Sequence, residues 1–304
     1  MTWYERLDKA MEEYLPDLPA ERDVPMSRYT SFRIGGPARR VACPKNREQL
    51  VILMGLAQAC GAHPFIIGNG TNLLVADEGL DRLIIRTAGE MNAVKTAGEN
   101  MIEADAGISL ARLALFAQGE GLTGLEFAHG IPGSLGGAIF MNAGAYGGEM
   151  KQVVAEVTVL TEDGIRRIPA EDCNFGYRHS IFSDGKAVIL GAKLRLQKGD
   201  PAQIGARMTE LMKKRKASQP LEYPSAGSTF KRPEGYFAGT LIQQTGLKGL
   251  TVGGAQVSEK HAGFIINRGG ATCWDVLSLI RQVQDKVMQA QGVFLEPEVR
   301  IIES

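Results

Sequence analysis

Between Gly124 and Gly148 the chain reads GLEFAHGIPGSLGGAIFMNAGAYGG, and eight of these residues are glycine. A glycine inside a helix or strand costs roughly 0.5–1 kcal/mol, so neither period is expected to survive here. The stretch is not a polar linker, because Leu125, Phe127, Ile131, Leu135, Ile139, Phe140 and Met141 all require burial. A buried backbone without side chains implies close approach to something. One candidate is a flat cofactor or a pyrophosphate, whose oxygens bare N–H groups can meet. The other is a tight crossing of backbones in the core. The glycines alone leave both open.

The rest of the chain narrows the choice of class. At 304 residues it exceeds one typical domain, and two or three subdomains are expected. Its 34 basic and 34 acidic residues balance, which argues against a broad nucleic-acid surface and leaves room for a local anion site. Cys43, Cys60, Cys173 and Cys273 are far apart and the histidines are equally dispersed. Neither a disulfide framework nor a metal site is expected, and reduced thiols point to the cytoplasm. The first residues mix both charge signs, unlike a signal peptide. The longest apolar runs, such as Val51–Ala57, are too short to span a bilayer, so no membrane insertion is expected. Asn69-Gly70-Thr71 matches a glycosylation sequon and is read as coincidence.

Periodicity then divides the chain. Residues 1–19 carry an amphipathic helix over 2–14, stopped by prolines 16 and 19. Residues 20–87 read as a small α+β unit. It has a helix over 47–60 with Asn46 as N-cap and a strand at Pro64–Gly68. Two more strands, joined at Glu78-Gly79, lie between Leu73 and Thr87. Residues 88–198 are richer in strand, with Ile102–Ala106, a helix capped by Ser109, and Val153–Thr161 turning at Glu162-Asp163-Gly164 into Arg166–Pro169. Val188–Leu196 follows. A connecting helix occupies 199–218, and its run Lys213–Lys216 suits a solvated face or a helix C-terminus. Residues 219–304 are expected to hold a helix at 237–245, strands near 251–258 and 263–267, and a helix at 273–291. Thr272, Asp275 and Gly292 supply the caps of that last helix, and a strand at Phe294–Ile302 ends the unit.

Several stretches carry candidate chemistry. Gly119–Gly124 satisfies G-x-G-x-x-G, but it follows a helical period and precedes no helix, so the dinucleotide fingerprint lacks its context. Gly68–Asn72 follows a strand and could wrap a phosphate, or it is a simple Asn-Gly turn. Arg178, within NFGYRHS, could pair with a carboxylate or phosphate, or form a surface ion pair. SAGSTFKRP, at 225–233, places hydroxyls beside cations, as an anionic substrate needs or as a polar loop between domains would. Glu298 sits by alternation with Glu296 and Arg300, opposite Leu295, Val299 and Ile301, which also fits an exposed strand face.

Taken in order, TSFRIGGPA, IIGNGTNLLV, GIPGSLGGAIFMNAGAYGGE, FGYRHSIF, SAGSTFKRPEG, QVSEKHAGFIIN and LEPEVRII resemble the UDP-N-acetylenolpyruvoylglucosamine reductase family over nearly all the chain after residue 27. The resemblance implies an α+β chain with the vanillyl-alcohol-oxidase-like (PCMH-type) FAD-binding fold. Two α+β subdomains would hold FAD and a C-terminal α+β subdomain would bind substrate. It implies NADPH as hydride donor and UDP-N-acetylglucosamine enolpyruvate as substrate, in a cytoplasmic monomer that serves peptidoglycan precursor synthesis. FAD contacts would fall on Ile67, Gly68, Asn69, Gly70, Thr71, Asn72 and Leu73. Further contacts would come from Gly130, Ile131, Pro132, Gly133, Ser134, Gly136, Gly137, Ala138 and Asn142. Arg178, Ser228 and Glu298 would be catalytic: Arg178 steadying enolate charge, Ser228 protonating C2, and Glu298 orienting or assisting. Substrate would meet Tyr177, Lys231, Arg232 and His261, although many members have Asn where Arg232 stands. The direct passage from YRHSIF to the strand at Val188 leaves no room for an extra substrate-covering loop, as in the shorter second type. A different flavin oxidase, or a flavin- or nucleotide-binding module without catalysis, would share the glycine loops. Oxygen consumption or the absence of NADPH turnover would mark those alternatives.

Overall fold

The computed structural model describes residues 1–303. The chain divides into two compact units, and neither is contiguous in sequence. Residues 1–21, 40–69 and 83–215 form the first; residues 22–39, 70–82 and the chain from Lys216 onward form the second.

In the first unit, α1 (Trp3–Tyr14) starts at a capping box made by Thr2 and Glu5. In α2 (Arg47–Cys60), the Asn46 side chain accepts the Gln49 N–H at 2.9 Å and Gly61 closes the end at φ 69°. The apolar faces of the two helices meet, burying Leu7, Met11, Leu50, Leu53 and Ala57 with Leu83 and Ile85. The strand Pro64–Ile67 pairs in parallel with the strand Leu80–Arg86, with Pro64 opposite Leu83 and Ile67 opposite Arg86. A five-stranded antiparallel sheet follows, in the order Gly164–Pro169, Val154–Thr161, Val188–Arg195, Met101–Asp105, Val94–Thr96. Its turn pairs Thr161 with Gly164. Against it pack α3 (Leu110–Gly119), capped by Ser109, and α4 (Leu135–Phe140). They bury Ile102, Leu113, Leu135, Ile139, Val157 and Leu194 in one core. Ile204 and Met208 of α5 (Pro201–Ser218) join that core.

The glycine-rich stretch departs from expectation, because α4 lies within it. Gly136-Gly137 survives in that helix because neighbouring chain fixes the backbone. The Leu135 amide donates to the Ile108 carbonyl at 2.9 Å and the Gly136 amide to the Ala106 carbonyl at 2.8 Å. A Cβ on Gly136 would lie 2.9 Å from that of Ala106, closer than packed carbons tolerate. Here glycine serves close approach of backbones. After α4, Gly144–Ala145 and Gly148–Glu149 form a two-residue hairpin with Tyr146 at φ 53° and Gly147 at φ 85°. Positive φ at both central residues matches the twist of the flanking strands.

The second unit is built on an antiparallel sheet in the order Ser225–Ser228, Phe264–Asn267, Ala255–Val257, Thr251–Val252. The segment expected as one strand over 251–258 is thus two short strands, folded back at Gly253-Gly254. Next to the sheet lie α6 (Ala238–Gln244) and α7 (Cys273–Gln291). Phe32, Ile34, Leu74, Leu241, Val276, Leu279, Ile280 and Val283 share their core. The Thr272–Asp275 capping box and Gly292 bound α7 as read from the sequence. A further cap comes from far along the chain: Asp77 accepts the amides of Cys273 at 2.8 Å and Trp274 at 3.1 Å. The strand expected over Phe294–Ile302 is shorter. Only Arg300–Ile302 is strand, parallel to Leu73–Val75, and the alternation breaks there, with Ile301 exposed and Ile302 buried. Among the described residues no helix is long and apolar enough to cross a membrane.

Candidate active site

In the first unit the strand Pro64–Ile67 ends where the Ile67 carbonyl accepts both the amide (3.0 Å) and the hydroxyl (3.2 Å) of Thr87. The chain then passes Gly68 so near Ser134 that a Cβ would run into the Ser134 hydroxyl. Asn69 follows, and its Nδ2 donates to the Pro132 carbonyl at 3.1 Å. Ser134 caps α4, its Oγ accepting the Gly137 amide at 3.4 Å, while the Gly133 carbonyl takes the Leu110 amide at 3.0 Å. The two glycine-rich segments, distant in sequence, therefore meet. Among the described residues the backbone amides of Gly68 and Asn69 have no acceptor. Pro132 and Gly137 are exposed, Ile131 and Gly130 half-buried, and Ala138 buried in the core. Unpaired amides on a bare backbone fit a phosphate-bearing cofactor such as FAD.

Arg178 stands at the tip of a tight turn in the same unit. Gly176 and His179 bridge across it, with the Gly176 amide 3.0 Å from the His179 carbonyl. Arg178 itself holds φ 53°, a left-handed conformation that costs a non-glycine residue about 1–2 kcal/mol. The turn is pinned from behind. Ser180 Oγ donates to the Phe140 carbonyl at 2.6 Å, and Asn142 Nδ2 donates to the Gly176 carbonyl at 2.9 Å. The Arg178 Nη2 reaches the Gly144 carbonyl at 3.4 Å, and its Cζ sits 5.0 Å from the centre of the exposed Tyr177 ring. Asn142 has an additional role beyond that pin. It is fully buried at φ 43°, its Nδ2 also donates to Glu149 Oε2 at 2.9 Å, and its Oδ1 accepts the Lys151 amide at 2.9 Å. Its side-chain capacity is committed to bracing the hairpin and the Arg178 turn.

In the second unit the carbonyl of Gly70 (φ 62°) accepts the Ser31 amide at 3.1 Å; a Cβ there would strike the Tyr29 carbonyl. Asn72 straps the distant end of the chain: Nδ2 donates to the Glu298 carbonyl at 3.0 Å and its carbonyl accepts the Arg300 amide at 2.9 Å. The Glu298 amide in turn donates to the Thr229 carbonyl at 2.8 Å, and the Lys231 amide to the Glu296 carbonyl at 2.8 Å. Ser228 thus runs beside Glu298, exposed, just after Gly227 at φ 78°. Leu73 opens the buried strand that pairs with Arg300–Ile302, so its side chain belongs to the core. Lys231 pairs with Glu296 at 2.5 Å. Arg232 stacks 3.9 Å from the centre of Phe237 and its Nε donates to the Tyr236 carbonyl at 3.3 Å. Burial lowers the His261 pKa, and its Nδ1 accepts the Gly263 amide at 3.1 Å. With Nδ1 accepting, the neutral imidazole carries its proton on Nε2.

Within the basic run expected as a solvated face or helix C-terminus, Arg215 departs from its neighbours: it falls in step with Ile204, Met208 and Leu211, the buried face of α5. Its Cδ and Nη1 would lie 3.3 and 3.8 Å from a Cβ on Gly130. That register was the available signal.

Residues 38–168 match the family model described as FAD binding domain. With the α+β architecture around the glycine-rich segments, this defines an FAD-binding oxidoreductase of the PCMH-type, vanillyl-alcohol-oxidase-like fold. Residues 219–302 match the model described as UDP-N-acetylenolpyruvoylglucosamine reductase, C-terminal domain. A protein of Agathobacter rectalis with that reductase name is 48% identical over 97% of both chains, and one from Lactococcus lactis is 47% identical over 95% of this chain and 97% of its own. The crystal structure of the Thermus caldophilus reductase superposes with a TM-score of 0.81 at 38% identity, covering 93% of this chain and 99% of that one. The chain belongs to the UDP-N-acetylenolpyruvoylglucosamine reductase family.

Proposed function

We propose that this protein reduces UDP-N-acetylglucosamine enolpyruvate to UDP-N-acetylmuramate with NADPH, a cytoplasmic step in the supply of peptidoglycan precursors, and that it acts as a monomer. Family membership over nearly the whole length supports the substrate class. The observation that carries the reading is the backbone pairing of Thr229 with Glu298, which brings the Ser228 segment alongside the Glu298 segment, with Asn72 holding the Glu298 carbonyl. In this reading residues 20–87 and 88–198 hold FAD and residues 219–304 bind substrate.

FAD, when bound, supplies hydride transfer from NADPH to C3 of the enolpyruvyl group. As C3 gains hydride, negative charge gathers at C2 and in the carboxylate. The Arg178 guanidinium steadies that charge, its turn already set by Asn142 and Ser180. Ser228 Oγ gives its proton to C2, and the serine is reprotonated from solvent; a hydroxyl is a weak acid but an enolate dianion is a strong base. Glu298 orients the intermediate or assists its protonation. Gly68, Asn69 and the segment Gly130–Gly137 hold the cofactor phosphates. Lys231, Arg232 and the Nε2–H of His261 hold the substrate diphosphate.

The test is stopped-flow spectroscopy of the yellow holoprotein. Ser228→Ala is expected to leave flavin reduction by NADPH intact and to slow reoxidation by the enolpyruvyl substrate about 10²–10⁴-fold. Equal loss in both half-reactions would remove Ser228 as proton donor, and a chain that takes up no flavin would overturn the whole reading.

A further inference from the structure

The hairpin of Gly144–Ala145 and Gly148–Glu149 meets Arg178 at its start and ends on a carboxylate that the proposed chemistry does not use. At the start, the Gly144 carbonyl accepts Arg178 Nη2 at 3.4 Å. That carbonyl has little room to shift. A Cβ on Gly144 would lie 2.7 Å from the Gly148 carbonyl oxygen, and one on Gly148 would run into the Phe127 ring. At the end, the half-buried Glu149 accepts Asn142 Nδ2 on Oε2 at 2.9 Å and pairs through Oε1 with Lys151 Nζ at 2.7 Å. The other Nδ2 proton of Asn142 goes to the Gly176 carbonyl at 2.9 Å, in the turn whose tip is Arg178. The hairpin therefore holds Arg178 twice, by its guanidinium through Gly144 and by its backbone turn through Glu149 and Asn142. A carboxylate only accepts, so Glu149 dictates that Asn142 turns its nitrogen toward Gly176. Seven non-glycine residues have positive φ among the described residues. Four of them, Asn142, Tyr146, Asn174 and Arg178, lie in this hairpin, just before it or in the Arg178 loop. Strain of that kind persists only where the surroundings over-determine the backbone, and it clusters at functional sites.

We propose that Glu149 is a positioning residue of the reaction. Acting through Asn142 and the hairpin, it fixes where the Arg178 guanidinium sits when charge gathers on the enolpyruvyl group. The proposal rests on the reading of Arg178 as the cation that steadies that charge. Glu149 works by reach rather than by charge, since the Lys151 ammonium already balances its carboxylate. A shift of about 1 Å in a group that meets the reacting atoms can cost about 10²-fold in rate, even when the change lies far from the chemistry.

The experiment separates reach from charge, and stopped-flow of both half-reactions of the holoprotein reads it. Glu149→Asp keeps the charge and withdraws it by one methylene. Glu149→Gln keeps an acceptor oxygen in place and removes the charge. Glu149→Asp is expected to slow flavin reoxidation by the enolpyruvyl substrate about 10–100-fold, while flavin reduction by NADPH stays at the wild-type rate. Glu149→Gln should recover most of that loss. Arg178→Ala supplies the second arm and should slow reoxidation about 10²–10³-fold. Adding Glu149→Asp to Arg178→Ala should then leave that step within about 2-fold, because one residue acts through the other. Wild-type reoxidation in Glu149→Asp overturns the proposal, as does a Glu149→Gln variant slower than Glu149→Asp. Losses that multiply in the double variant overturn it too, and so does equal loss in both half-reactions, the mark of a merely structural role. Wild-type reoxidation in Arg178→Ala would instead overturn the reading of Arg178, a different failure from a silent Glu149→Asp.

Discussion

Asn142 offers the sharpest test of what the glycine-rich stretch does. If it braces the fold, its loss must be felt without any cofactor present. Asn142→Ala removes hydrogen bonds to the Gly176 carbonyl, the Lys151 amide and the Glu149 carboxylate, each 2.9 Å long. The two neutral bonds contribute about 1 kcal/mol each and the bond to the carboxylate about 1.5–3 kcal/mol. Alanine must also hold φ 43°, which costs it about 1 kcal/mol more than a residue at ease there. Partial wetting of the site offsets some of this, leaving about 4 kcal/mol. For a unit of this size each kcal/mol moves Tm by roughly 2–4 °C, so calorimetry of the flavin-free variant should show a transition about 10 °C lower. Asn142→Gly relieves the backbone and should recover about 1 kcal/mol of the loss. Asn142→Asp cannot donate and sets a second carboxylate against Glu149, so it should be no better than alanine. The reasoning is refuted if the flavin-free alanine variant melts within about 2 °C of wild type while its FAD affinity falls, the pattern of a cofactor contact.

The other predictions concern the second unit. Asp77→Ala removes two acceptors from the start of α7 and should destabilise the unit by about 1 kcal/mol, read from the shift of the urea midpoint at constant m-value; Asp77→Asn should keep only part of that loss at bay because one of its two positions becomes a donor. His261 titrates below its ordinary value of 6.5 because burial disfavours the cation. A depressed folded pKa means that the unfolded chain binds the proton more tightly, so the contribution is present above about pH 6.5 and is lost as pH falls through the lower folded pKa. Chemical denaturation across that window should show a decline in stability that His261→Gln flattens; an unchanged pH profile in the variant would contradict the neutral imidazole.

Local chemistry was legible where a few adjacent residues decide the outcome. Asn46, Ser109 and the Thr272–Asp275 pair cap the helices they were expected to cap, and the Glu162–Gly164 turn closes the hairpin it announced. Distant partners were not legible. Asp77 caps α7 across almost 200 positions, and no local pattern marks it. The glycines of α4 read as breakers because the sequence does not show that Ala106 and Ile108 supply the acceptors. The alternation over Phe294–Ile302 suggested one strand, whereas pairing reaches only as far as Leu73–Val75 extends, and Asn72 fixes the register before it. Of the candidate site, the order of motifs named the segments, while the surroundings of Asn142 and His261 depend on burial and on which atoms are already paired, which no motif displays.

The pairing of Arg300–Ile302 with Leu73–Val75 sets a condition on how the chain comes to be folded during its synthesis. Phe32, Ile34 and Leu74 share a core with Val276, Leu279, Ile280, Val283 and Leu295, which are translated about 200 residues or more later. Those early residues leave the ribosome with nothing to bury them, and closing so long a loop is slow. The core of the first unit, by contrast, needs nothing beyond residue 215. Vectorial synthesis therefore completes the first unit first, and the final strand acts as the latch that closes the second. Segments 22–39 and 70–82 lack their core partners until then, and unburied apolar residues in that interval favour aggregation and proteolysis.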